Sequence, residues 1–222
     1  TKQATRDIKG LDKTLKKFGL SSKLSLAAAT TALTVFTKRS IMAAAADDKA
    51  QRSLARSLKN LGLAYSSVNV EQFIKDTSLA TGVADDQLRP ALQRLVTATG
   101  SVAKSQELLN TALNISAGTG KDLQSVTTAL TKAYLGNNTS LGRLGAGLTK
   151  AELKGASFEE LIGRLNVLFA GQATEAAGSY AGQIDRLKVA ASEASEVIGT
   201  ELLNSISRLS GENGLGDATE NM

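Results

Sequence analysis

VADDQLRPALQRLVTAT (residues 83–99), SVAKSQELLNTALNISAG (101–118) and KDLQSVTTALTKAYL (121–135) follow one another with a glycine-bearing break at each junction. The breaks are Thr81-Gly82, Thr99-Gly100, Thr119-Gly120 and Gly136-Asn137-Asn138. Each block has the length of an ordinary globular helix with its connection. Each meets glycine where a helix C-terminus calls for left-handed backbone. Within the blocks apolar residues recur three and four apart: Leu88, Leu92 and Leu95; Leu108, Leu109, Ala112, Leu113 and Ile115; Leu123, Val126, Leu130 and Ala133. The pattern predicts an all-α protein whose centre is a compact multi-helix domain over residues 67–171.

Capping signals continue past the three blocks. Thr149 with Glu152 and Ser157 with Glu160 have the spacing of capping boxes. The second opens a helix through Leu161, Leu165, Leu168 and Phe169 that ends by Gly171. Asn69, followed by Gln72, reads as a further N-cap, and Pro90 places a helix start near Asp86 or a kink.

Composition agrees with a helical class. Of 222 residues, 42% are hydrophobic and only 4% aromatic, so the core must be built from Leu, Val, Ile and Ala. Such a core favours closely spaced helices over a deep aromatic-lined ligand pocket. One proline in the whole chain is what a nearly all-helical protein tolerates. Cysteine and histidine are absent, which removes disulfides, thiolate nucleophiles, Cys/His zinc sites and the commonest general base together. No enzyme activity, small-molecule substrate, cofactor or metal is therefore expected.

Long helices flank the centre. Residues 1–66 form a basic N-terminal arm. Residues 1–60 hold 13 Lys+Arg against 4 Asp+Glu, a balance of +9, whereas the rest of the chain carries −4. A solvated basic helix face explains this, and so does an anionic partner such as nucleic acid, a lipid surface or an acidic protein wall. Residues 2–18 put Ile8, Leu11, Leu15 and Phe18 on one face and lysines on the other, with Gly10 weakening the helix. From Lys23 to Leu61 there is neither proline nor glycine. Within that run the uncharged segment containing Leu24, Leu26, Leu33, Val35 and Phe36 spans about 14 residues, short of the roughly 20 a membrane-crossing helix needs. A helix–helix seam is the favoured use of this segment, with contact at a target membrane as a second reading.

The C-terminal arm, residues 172–209, is also Ala-rich and free of proline. Ala177, Tyr180, Ile184, Leu187, Ala191, Ala194 and Ile198 alternate at spacings of three and four, the mark of a coiled-coil seam. A lone amphipathic surface helix gives the same stripe over a shorter run. The seam is a candidate self-association surface. Residues 210–222 are polar and glycine-rich, which predicts a flexible tail.

Two features imitate chemistry. Gly142 to Lys150, GRLGAGLTK, has the glycine spacing of a phosphate-binding loop, but Leu148 stands where the lysine belongs and no strand precedes it. The acidic pairs Asp47-Asp48, Asp85-Asp86 and Glu159-Glu160 are sequence neighbours and point to different faces of a helix, so convergent carboxylates are not expected.

Several runs, taken in order, resemble tail tape measure proteins of tailed bacteriophages. They are ATGVADDQLRPALQRLVTATGSVAKSQELLNTAL, ISAGTGKDLQSVTTALTKAYLGNNTSLGRLGAGL, SFEELIGRLNVLFAGQA, SYAGQIDRLKVA and SEASEVIGTELL. The resemblance covers roughly residues 43–203, and its specificity lies in the ordered combination. Family members often carry proline after the two leucines, where this chain has Asn204, so its last helix is expected to run on toward Leu209. The resemblance implies a structural ruler of tail length that lies in the tail tube or tail tip and leaves ahead of the genome. It also implies assembly in host cytoplasm, then a place in the virion as an oligomer, a trimer about the tail axis. Tube and tip proteins would be its partners, with DNA in the lumen and transient host membrane as further contacts. Members are usually much longer, and with Thr1 in place of an initiator methionine the chain reads as a fragment. Against the ruler stand a membrane-active ejection protein, a cell-wall hydrolase and a generic helical scaffold.

Overall fold

The computed structural model describes the backbone of residues 22–210 and most side chains between 38 and 204. Among these residues there is no strand, and the chain is all-α. The helices are α1 (Ser22–Asn60), α2 (Ser67–Thr81), α3 (Asp85–Thr99), α4 (Val102–Thr119), α5 (Leu123–Tyr134), α6 (Lys150–Gly155), α7 (Phe158–Leu168), α8 (Gln172–Gly178) and α9 (Tyr180–Ser210). Short 3-10 helices, Ala64–Ser66 and Asn138–Leu144, fill two of the connections. The chain divides into two compact units, one of residues 46–194 and one of residues 1–45 with 195–222.

The larger unit forms as its sequence punctuates it. Gly82, Gly100 and Gly120 close α2, α3 and α4 in left-handed conformation, each N–H bonding the carbonyl four residues back. An added Cβ at Gly82 would also press on Arg186 Cγ at 3.0 Å, so this corner needs glycine for room as well as for φ. The apolar faces of α3, α4 and α5 converge: Leu88, Leu92, Leu95, Leu108, Leu109, Ala112, Leu113, Ile115, Leu123, Val126, Leu130 and Ala133 are all buried. Leu54 and Leu58 of α1, Leu141 and Leu144 of the second 3-10 helix, and Leu161, Ile162 and Leu165 of α7 complete one core. Fully burying a leucine contributes on the order of 2 kcal/mol, so this aliphatic cluster dominates the unit's stability, with Phe73, Tyr134, Phe158 and Phe169 packed half-buried against it. Tyr134 and Phe158 add one edge-to-face contact at 5.3 Å.

Both capping boxes form, Thr149 with Glu152 and Ser157 with Glu160. Each glutamate accepts the cap residue's N–H, which holds its carboxyl below the usual range. Asn69, in contrast, lies inside α2, whose N-cap is Ser66; the preceding 3-10 turn advances the start by three residues. Helix α3 starts at Asp85, one residue from the start that Pro90 suggested, and Pro90 is its sixth residue and is exposed. Gly145 and Gly147 of the loop-like stretch have φ of +68° and +72° and close the second 3-10 helix, which is punctuation.

In the smaller unit the described residues belong to the first part of α1 and the last part of α9. Ser40 is fully buried, and its hydroxyl lies 2.8 Å from that of Ser195. One turn on, a Cβ at Gly199 would stand 2.0 Å from the Ser40 carbonyl oxygen. The two helices therefore meet backbone to backbone through small residues. Residues 1–21 and 211–222, which include the first amphipathic stretch and the polar tail, lie outside the described residues. Helix α9 continues past Asn204 to Ser210.

Candidate functional site

Arg89 is the most heavily engaged charge in the larger unit. Its position on α3 puts it one turn after Asp85, and its Nη1 bonds Asp85 Oδ2 at 2.6 Å. Its Nε donates to Glu71 Oε2 of α2 at 2.9 Å, and Nη1 also pairs with Asp47 Oδ1 of α1. The arginine side chain is only 7% exposed. Three helices thus lay carboxylates around one guanidinium, whose planar fork of donors suits several acceptors at once. Glu193 of α9 also faces the cluster. Burial first, then the charges of Asp85 and Asp47, push its carboxyl above its usual value. Burial likewise raises Asp47, against the pull of Arg89.

The expectation that no carboxylates converge is corrected here. Asp47, Glu71, Asp85 and Glu193 come from four different helices, and pairing neighbours in sequence could not show it. The Asp85–Arg89 spacing of four was the available signal. Raised acids near a partner charge are what catalytic sites use. Here, however, neither Asp47 nor Glu193 lines any of the three grooves described for the surface. Arg89 directly engages three of the four acids. The arrangement clamps α1, α2 and α3.

The candidate seam is carried by two helices and not one. Ala177 lies on α8 and is buried. Ser179 then adopts extended backbone and caps α9, its hydroxyl accepting the Gly182 N–H at 3.0 Å, so the coiled-coil register begins only after it. The Tyr180 side chain lies outside the described residues. Along α9, Ile184, Leu187, Ala191, Ala194 and Ile198 are all exposed, Leu187 by 66%. Val197 beside them is 63% exposed. The face of α9 that packs within the smaller unit is the adjacent one, through Ser195 and Gly199. Leu24, Leu26, Leu33, Val35 and Phe36 fall within helical α1, but their side chains lie outside the described residues. Among the described residues no helix is long and apolar enough to cross a membrane.

Three surface grooves remain. One, about 550 Å³, runs between α3 and α5 past Pro90, Arg94 and Leu135. A second, about 510 Å³, lies along α7 beside Val167 and Leu168. The third, about 440 Å³, is basic and lies between α5 and the second 3-10 helix. No family profile, curated protein or solved structure matches the chain.

Proposed function

We propose that the chain is a segment of a phage tail tape measure protein, a structural ruler carried in the tail tube or tip and released as the genome leaves. One observation carries the reading: the ordered resemblance of five runs across residues 43–203 to that family. The all-α class agrees with it, since a ruler needs a fixed rise per residue, which a helix supplies at about 1.5 Å. Its partners in this reading are further copies of itself, in a trimer, and the tube and tip proteins around them. Its place is host cytoplasm during assembly and the virion afterwards. Its role is mechanical, with no catalytic step assigned to it.

The experiment uses the phage that encodes the chain. Mass spectrometry of purified virions should find peptides of residues 83–135 before ejection and lose them from emptied particles. An in-frame insertion of helical sequence into the gene should lengthen tails in proportion to the residues added. Virions that never contain the protein would overturn the reading, as would tails whose length ignores the insertion.

A further inference from the structure

The basic groove beside α5 is lined by Lys121, Gln124, Ser125, Thr128, Lys132 and Arg143, among other residues. Its three cations come from the α4–α5 connection, the end of α5 and the facing 3-10 helix. Among the described residues, none of the three is in an ion pair. Elsewhere in this unit Arg52, Arg89, Lys104, Arg164 and Lys188 have a carboxylate partner, whereas Lys49, Arg56, Lys59 and Lys75, among other described cations, are in no ion pair either. It is the gathering of three cations around one groove that sets this place apart. The local sequence supplies little to offset them, because residues 123–151 contain no aspartate or glutamate at all. The nearest acid in sequence, Asp122, caps α5 by accepting the Ser125 N–H at 2.8 Å and makes no ion pair with Lys121. The next, Glu152, is bound to its own cap and to Arg164.

Arg94 extends the same field without a carboxylate. Its Nη1 donates to Gln124 Oε1 at 2.7 Å, and Gln124 is itself a lining residue of the groove. Uncompensated like charges in one concave place cost free energy unless something negative comes to them. The spacing decides what kind of anion. Lys121 precedes the N-cap Asp122 and Lys132 lies in the last turn of α5, ten residues after that cap and so about 15 Å along the helix at 1.5 Å per residue. A single phosphate spans far less than that, whereas a phosphodiester chain offers a charge at every nucleotide along it. Besides Ala129 and Leu144 the lining is hydroxyl, amide and cation, with no aromatic ring for a base to stack on.

We propose that this groove binds the phosphodiester backbone of a nucleic acid, without sequence preference, through Lys121, Lys132 and Arg143. The groove carries this assignment by itself, whether or not the tail reading holds.

The test is fluorescence anisotropy of the full chain with a labelled oligonucleotide, single-stranded and duplex, across a salt series. The comparison is with the triple variant Lys121→Gln, Lys132→Gln, Arg143→Gln, whose melting temperature should match the parent because none of the three side chains is ion-paired. The variant's slope of log affinity against log salt should be flatter by about 2 to 3, which is roughly 0.7 to 0.9 for each lost cation. The loss should be the same for oligonucleotides of unrelated sequence. A slope equal to the parent's overturns the proposal and assigns any binding to the basic N-terminal arm. Displacement of the oligonucleotide by equimolar inorganic phosphate also overturns it, since that would mark a site for one anion and not for a chain.

Discussion

Arg89 shows how a chain poor in aromatics fixes its helices with one cation. A buried guanidinium is costly by desolvation, and what keeps it there is the geometry of Asp47, Glu71 and Asp85 around it. Removing the cation leaves those carboxylates facing each other in a partly dry site. Arg89→Met is therefore expected to destabilise the larger unit by about 3–5 kcal/mol, and Arg89→Lys to recover only part, since an ammonium cannot serve three acceptors in one plane. Glu193 should behave oppositely. Its folded carboxyl titrates above the ordinary 4.5, so the native state holds the proton more tightly than the unfolded chain does. That contribution is present below the ordinary value and is lost as pH rises through the raised one. Glu193→Gln should thus raise the melting temperature at neutral pH, with the gain vanishing in acid. Thermal melts of both variants at neutral pH and below pH 4.5 check the pair. A Glu193→Gln protein less stable than the parent at neutral pH would show that the carboxylate helps the cluster.

At the scale of elements, glycine has two meanings, and only one was legible in the sequence. Gly82, Gly100 and Gly120 sit at block ends, where the change in pattern announces a helix stop, and the structure closes a helix at each. Gly199 sits inside a long Ala-rich helix, where sequence alone reads it as a weak helix former. Its reason is Ser40, whose carbonyl occupies the space a Cβ would need. That partner is 159 residues away, and no local period records it. The Arg89 cluster was missed for the same cause, its acids lying at positions 47, 71, 85 and 193. The faces of α3, α4 and α5 were readable because helix periodicity is local. The break at Ser179 was not, since neither Gly178 nor Ser179 forbids helix. The two kinds of glycine give a paired prediction. Gly163, within α7, has open space around it, so Gly163→Ala should stabilise by about 0.5–1 kcal/mol through helix propensity. Gly199→Ala gains the same propensity but must push the helices apart, an overpacking cost of about 1–3 kcal/mol. Hydrogen exchange over residues 38–45 and 195–204 should quicken in the second variant alone. Unchanged protection there would remove the close approach from the account.

For the molecule as a whole, the question is what α9 leaves uncovered. Ile184, Leu187 and Ile198 are exposed together with Ala191 and Ala194, at spacings of three and four that one helix can offer to a like helix. The packed side of α9 in the smaller unit is the neighbouring Ser195–Gly199 face, so the stripe is not consumed there. Alanines contribute little area on a scale of roughly 25 cal/mol per Å², and one pair of such helices would hold weakly. A bundle of several copies buries each stripe on two sides, which is why an oligomer about an axis suits it better than a dimer. The basic N-terminal arm, at +9 over residues 1–60, opposes bundling by like charge and so is a poor candidate for the contact. We therefore propose α9 as the surface through which copies would meet. Sedimentation of the parent should show a concentration-dependent oligomer, with the trimer implied by the tail resemblance as its end point. The double variant Ile184→Asp, Ile198→Asp should sediment as a monomer while the larger unit still melts cooperatively, because both side chains are partly exposed in the single chain, Ile184 by 38% and Ile198 by 44%. A parent that stays monomeric at high concentration would exclude the stripe as a self-association surface. So would a double variant that assembles as well as the parent.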